Sequence, residues 1–478
     1  MRKAFDVQTT VEKIAGRVDA GQFRTAEQLI ERLGPIDEPI VKVLSAEVEV
    51  YFARLDQAES LLTEVRSSLE QIHLARFAMA KGGLSYWRFE FEQAEDNFQA
   101  AYHLYKFLFD SFQVANALFN LGRVRRRQSQ YDEAMSLLGR ARDLLKSEPP
   151  EMIERFEFLS GLIDFNDAVC KHQLGDLDTA GRLYASAIEL LRRSEECRYY
   201  GGALNSFGAY LKRLGKYDDA VLTLRRAMDI FRSLATFDDI AAASANLALT
   251  MIRLHRYEEA ETLLREALEL YQRTGNMAST ASSLDLFAQL YLETGDLESA
   301  ERFAAQATEQ ADLSRNPFQQ AYAYISAGRV AYRKGDGFKA ERLLRIALDL
   351  ANRIASKELM AASTIFLAEC CLTASVVKGR EYLIQATNWV REYPDKWFEM
   401  ELERIGERYK GDRISITEEN KLVVNGNLLP SWNGAKEALE RFLIKNALEL
   451  ANGNQTKAGQ LLGITKVHVH DKRKQYDL

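Results

Sequence analysis

Small apolar residues recur along this chain in fixed steps. The segment 215–231, GKYDDAVLTLRRAMDIF, returns as HRYEEAETLLREALELY (255–271), GDLESAERFAAQATEQA (295–311) and GDGFKAERLLRIALDLA (335–351). Upstream it reads GDLDTAGRLYASAIELL (175–191) and SQYDEAMSLLGRARDLL (129–145). The alanine after each turn falls at Ala180, Ala220, Ala260, Ala300 and Ala340, a step of 40 residues, with less even copies at Ala26, Ala58, Ala94 and Ala134. Twelve positions earlier stand Ala46, Gly82, Gly122, Ala168, Gly208, Ala248, Ala288 and Gly328. Seven positions later stand Ala101, Ala141, Ala187, Ala227, Ala267, Ala307 and Ala347. Three small positions in register predict two antiparallel helices per unit, crossing where a side chain is a methyl group or absent. Leu224, Leu264 and Leu344 then fill the space between neighbouring pairs.

This pattern resembles the tetratricopeptide repeat (TPR) over roughly residues 10–393, with a period longer than the usual 34 residues. A tenth, degenerate unit is expected at 359–393, with Gly379 in the alanine position. The resemblance implies an all-α solenoid of about nine to ten helix pairs, curled into a superhelix whose first helices line a concave face. Asn120, Asn166 and Asn246 lie fourteen positions before the marker alanine, and Arg127, Arg213, Arg253 and Arg333 lie seven before it. In TPR proteins the matching positions often face the groove. These residues are therefore candidates to hold a peptide or protein ligand. The competing reading is structural: a basic residue near a helix C-terminus also complements the helix dipole.

After residue 393 the pattern changes. Segment 394–411 predicts a connecting helix, and 412–432 a short β-hairpin or meander. Strands are expected at 414–417 and 421–425, followed by an Asn425-Gly426 turn and a possible third strand at 427–429. Segment 434–453 then reads as a helix with a broad apolar face ended by Asn452-Gly453. Asn454 can cap a second helix running to Leu462, Gly463 supplies a tight turn, and Thr465 can cap a last helix toward Tyr476. The spacing of Gly459, Gly463 and Val469 suits a helix-turn-helix, in which one helix must project into a major groove.

The run GNQTKA (453–458), LLGI (461–464) and the basic helix ending near Tyr476 resemble the C-terminal domain of the Fis family, over residues 433–478. That resemblance implies binding of double-stranded DNA through 454–478. It places Thr456 and Lys457 on phosphate. Thr465, Lys466, His468 and His470 would face the groove, with Lys472 and Lys474 on the flanking backbone. Asp471 stands where a basic residue is typical, so it would repel phosphate or accept from a cytosine amino group. His468 and His470 point to nearly opposite sides of a helix, which disfavours a shared metal ion, and no metal or cofactor is expected.

Charge sharpens the division. The chain carries a formal net charge of −6, yet residues 433–478 hold eight Lys/Arg against five Asp/Glu. An acidic body with a basic tail fits local contact with nucleic acid. Cys170, Cys197, Cys370 and Cys371 lack metal-ligand spacing and are expected to be buried thiols in a reducing cytosol. The N-terminal stretch shows no signal-peptide core, and no eighteen-residue apolar run predicts a membrane span. No P-loop, G-x-S-x-G, H-E-x-x-H or Rossmann fingerprint occurs, so an enzyme is not expected.

Together these features predict a bacterial, cytoplasmic transcriptional regulator, nucleoid-associated when bound to DNA, in which the array (1–393) controls the tail. One tail offers few phosphate contacts, so a homodimer is expected. The alternative is a TPR interaction scaffold whose tail docks a partner or tethers weakly to DNA.

Overall fold

The computed structural model describes residues 2–34, 38–65, 70, 73–146, 153–193, 197–408, 414–416, 422–424 and 432–476. Among them the chain forms 24 helices and two short strands. Helices follow one another in pairs: α1 Arg2–Asp19 and α2 Phe23–Leu33, α3 Pro39–Tyr51 and α4 Leu55–Val65, α5 Leu74–Trp87 and α6 Phe91–Phe107. Next come α7 Ser111–Arg127 and α8 Tyr131–Leu145, α9 Ile153–Leu174 and α10 Leu177–Arg192, α11 Arg198–Arg213 and α12 Tyr217–Leu234. The series continues with α13 Phe237–Arg253 and α14 Tyr257–Thr274, α15 Met277–Thr294 and α16 Leu297–Ser314, α17 Pro317–Arg333 and α18 Gly337–Arg353, α19 Lys357–Ala374 and α20 Val376–Glu392. These ten pairs precede α21 Lys396–Arg408, β1 Ile414–Ile416, β2 Leu422–Val424 and three last helices, α22 Trp432–Leu450, α23 Gln455–Leu462 and α24 Lys466–Gln475.

The small-residue ladder does what its spacing requires. All nine marker alanines from Ala26 to Ala340 are 0 % exposed, as are the seven that follow from Ala101 to Ala347. A Cβ on Gly208 would sit 2.5 Å from Cγ of Leu224, and one on Gly328 would sit 2.7 Å from Cγ of Leu344. Helix starts are fixed locally as well. Asp110, Asp176, Asn276, Asp296 and Asp336 each accept the backbone N–H three residues on, satisfying a donor the helix leaves open.

The chain divides into two compact units, residues 1–327 with 392–396, and residues 328–391 with 397–478. In the first unit the early helices reach far along the sequence. Gln22 donates to Glu154 at 3.2 Å, Arg24 donates to the Ser233 carbonyl at 3.0 Å, and the Tyr51 hydroxyl accepts the backbone N–H of Arg198. The array therefore closes on itself within its first six pairs, a tighter curl than the repeat pattern alone announces. Segment 392–396 packs against the same unit. Arg213 donates to the Pro394 carbonyl at 2.7 Å and lies 3.3 Å over the Tyr393 ring, while a Cβ on Gly175 would stand 2.6 Å from the Glu392 carbonyl oxygen.

In the second unit α21 is tied to α19. Arg404 donates to Glu369 at 2.8 Å, and Arg329 stacks over Phe366 and Trp397. Strands β1 and β2 pair antiparallel, with Ile414 opposite Val424 and Ile416 opposite Leu422. The expected Asn425-Gly426 turn and third strand lie outside the described residues. Helix α22 begins at Trp432, two residues before the sequence pattern suggested.

Candidate nucleic-acid interface

The last three helices enclose a small core of Ile444, Ala447, Leu448, Ala451, Ala458 and Val469, with Leu462 and Ile464 packed against it. The Asn454 side chain accepts the backbone N–H groups of Thr456 and Lys457 at 3.1 and 3.2 Å, starting α23. Gly463 ends that helix with φ +67°, a conformation that a Cβ makes costly. A Cβ on Gly459 would sit 2.7 Å from the Ile464 carbonyl oxygen, so the chain can cross there only with glycine. The Thr465 hydroxyl accepts the His468 N–H at 3.1 Å and starts α24. Val469 is fully buried and anchors α24 to the core.

That anchoring decides which side of α24 faces outward. At about 100° per residue, Val467, Asp471 and Lys474 lie opposite the buried Val469 and Tyr476. His468 and His470, each about 100° from Val469, flank this face, and Lys466 stands at the helix start nearer the buried side; all three are exposed, as are Thr456, Lys457 and Thr465. The two histidines are separated by about 160° around the helix. Among the described residues there is no group of three or more His, Cys, Asp or Glu able to hold a metal ion.

Lys472 is placed differently. Its ammonium pairs with Glu440 of α22 at 2.6 Å, and the Tyr476 hydroxyl donates to the same carboxylate oxygen at 2.9 Å. These hydrogen bonds, Lys472 first, hold the Glu440 carboxyl below its ordinary range, and that with Glu440 raises Lys472. Lys472 thus fastens α24 to α22, a duty its position in the sequence did not reveal. Val467 was missed in the opposite sense. It is 67 % exposed on the outward face, where an apolar side chain can touch a thymine methyl. An exposed valine two residues from a buried one has no signature in the apolar pattern.

In the first unit, the groove candidates enter separate contacts. Asn120 donates to Asn116 and stands on the wall of a cavity of about 120 Å³. Asn166 is buried and accepts from Arg126 at 2.9 Å, Asn246 donates to Asn205 at 3.0 Å, and Arg127 donates to the Tyr86 hydroxyl at 3.2 Å. Arg213 belongs to the clamp on residues 393–394 rather than to an open face. Arg253 is half-buried; Arg333, on α17 in the second unit, is exposed. The four cysteines are buried free thiols, and burial pushes Cys170 and Cys370 up to about 12. No helix among the described residues is long and apolar enough to cross a membrane.

Comparison with known proteins matches these two parts separately. The tetratricopeptide repeat model matches residues 73–147, 166–233 and 239–312, and the model of the Fis family of bacterial regulatory proteins matches residues 436–476. No curated protein matches the chain. Among solved structures, a Rap protein complexed with competence and sporulation factor aligns over 73 % of this chain and 99 % of its own, at 17 % identity and a TM-score of 0.55. The protein NprR in complex with its cognate peptide NprX aligns over 75 % of this chain and 99 % of its own, at 12 % identity and a TM-score of 0.51. The apo form of the quorum sensor NprR from B. thuringiensis aligns over 72 % and 98 %, at 15 % identity and a TM-score of 0.50. At such identities the shared property is the helical solenoid. The chain carries a tetratricopeptide repeat array followed by a Fis-family helix-turn-helix domain.

Proposed function

We propose that this protein is a cytoplasmic, bacterial transcriptional regulator, not an enzyme, in which the repeat array senses a peptide or protein and controls DNA binding by the C-terminal domain. The observation that carries this reading is the outward face of α24. It presents Lys474, flanked by His468 and His470, on a helix that begins with the exposed Lys466, is capped by Thr465 and is anchored at its back by Val469. Hydroxyls, lysines and a free helix N-terminus position phosphate, and side chains near the helix start reach base edges. Both matched families are regulatory or interaction domains. The neighbour seen with its cognate peptide supports a peptide as the ligand of the array.

The domain works as a homodimer in this reading. Leu439, Leu443 and Leu450 fall on one side of α22, all exposed, and Leu450 is 75 % exposed. A second copy covers that stripe and doubles the phosphate contacts, to which affinity responds steeply. We keep the functional division at residues 1–393, 394–411, 412–432 and 433–478. The same leucines also favour the second reading, a scaffold whose tail docks a protein partner.

Duplex binding measured against salt, with the full chain and with a chain lacking residues 433–478, separates the two. A steep salt slope that disappears with the tail, and weakens in Lys466→Ala and His470→Ala, is expected. Equal weak binding by both chains would reject the regulator and leave the scaffold.

A further inference from the structure

The cavity in the first unit is walled by the inner sides of several helices between α1 and α11. Most of its polar side chains satisfy one another. Asn120 donates to Asn116, Asn116 donates to Gln113 at 3.2 Å, and Gln113 donates to Asp19 at 2.9 Å. Arg76 then bridges Asp19 at 3.0 Å and Glu47 at 2.8 Å. This run of bonds is closed and carries one net negative charge.

Arg123 stands outside it. It lines the same cavity, is only 5 % exposed, and its Nε lies buried with no hydrogen-bond partner. Its guanidinium lies 3.9 Å from the centre of the Tyr86 ring and 5.6 Å from that of Phe119. Ring faces attract a cation but accept none of its N–H groups in the plane of the fork. A buried guanidinium without an anion is costly, and a water satisfies a hydrogen bond without neutralising the charge. Around the Tyr86 ring guanidinium groups gather, Arg127 lying 5.9 Å from the same ring centre. Burial raises the Tyr86 hydroxyl, but Arg127, Arg123 and Arg126 outweigh it and bring it down to about 7.

We propose that this cavity binds a small monocarboxylic acid with an apolar body, its carboxylate paired with Arg123. The planar fork matches a carboxylate. A doubly charged phosphate is disfavoured by the Asp19 and Glu47 carboxylates on the same cavity. Phe23, Trp87, Phe112 and Phe119 supply apolar wall for the rest of the ligand. An apolar protein cavity of roughly 150 Å³ takes a molecule the size of benzene, so a volume of about 120 Å³ suits a short aliphatic acid no larger than benzene and excludes an extended peptide. This site goes beyond the peptide-sensing role proposed above and stands or falls without it.

The test uses the full chain at fixed ionic strength and neutral pH, without DNA. Propionate and butyrate are titrated against propionamide and butyramide, reading tryptophan fluorescence (Trp87 borders the cavity) and thermal unfolding. Each acid, at about tenfold over its Kd, is expected to raise Tm by roughly 2–4 °C in a saturable manner, and the amides are expected to do nothing. Arg123→Gln removes the acid effect while the ligand-free Tm holds or rises, because the unpaired charge is gone. Arg123→Lys weakens binding roughly tenfold through loss of the fork. Gly83→Val, whose Cβ meets only Val50 at 3.7 Å, fills the cavity and blocks binding with Arg123 intact. A short peptide ending in a free phenylalanine carboxylate is expected not to bind. No response to either acid, equal responses to acid and amide, a response that survives Arg123→Gln or Gly83→Val, or equal binding of the peptide overturns the proposal. Loss of DNA binding in the salt assay would leave it untouched.

Discussion

The repeat array and the terminal three-helix domain are held together by apolar cores of different kinds. In the array, alanines at fixed steps are fully buried, while large apolar side chains such as Phe107, Phe109 and Leu222 stand exposed. In the terminal domain, six buried residues form the core while Leu439, Leu443, Leu450, Leu461 and Val467 stay exposed. A domain of this size buries a small fraction of its surface and gains from a partner. The array repeats one buried ladder many times; the tail rests on a single small core with an apolar rim around it. Sequence periodicity measures the first kind of packing and is blind to the second.

The largest expected effect lies in the array. Gly208→Leu pushes a side chain into Leu224 and should cost about 3 kcal/mol, seen as an early thermal transition. If it leaves Tm unchanged, the close crossing is not what holds the pairs together. Next, replacing Leu439, Leu443 and Leu450 together by serine should leave array melting alone and turn a dimer into a monomer by light scattering. DNA affinity should fall by roughly 2 kcal/mol, about thirtyfold. A variant that stays dimeric would move the interface elsewhere and narrow the contrast.

Smaller effects test the tail itself. Lys474→Ala should weaken DNA binding several-fold and lower the salt slope by about one, without changing the melting of the domain. Lys472→Ala should do the reverse, loosening α24 while changing the slope less, because Lys472 is held by Glu440. The smallest effect is with pH. Glu440 has a lowered pKa, so its contribution is present above its unfolded value and fades as pH falls through the folded one. Lys472 has a raised pKa, so its contribution is present below its unfolded value and fades as pH rises through the folded one. The pair is intact at neutral pH, and Glu440→Gln should flatten the acid side of the domain's melting profile.

The array was legible because sterics leave few choices: a methyl group or nothing fits at Ala220 or Gly208, and the constraint repeats. The helix-turn-helix was legible for the same reason at Gly459, Gly463 and Val469. The polar sites were less so. Which way Asn166 or Arg213 faces depends on how tightly the pairs curl, and that curl is set by contacts such as Tyr51 with Arg198. Lys472 finds a carboxylate 32 residues away on another helix, a pairing no local pattern encodes. Arg123 was passed over because its neighbours in sequence look like any basic helix end.

The clamp of Arg213 on Pro394 has a consequence for how the protein unfolds. A solenoid whose units touch only their neighbours can fray from either end, one pair at a time. Here a contact spanning 181 residues, and another spanning 147 between Tyr51 and Arg198, join distant parts of one unit. Closing such long loops costs only slightly more entropy than closing short ones, yet it links the melting of remote pairs. The first unit is therefore expected to unfold cooperatively and to fold more slowly than its local helices would allow.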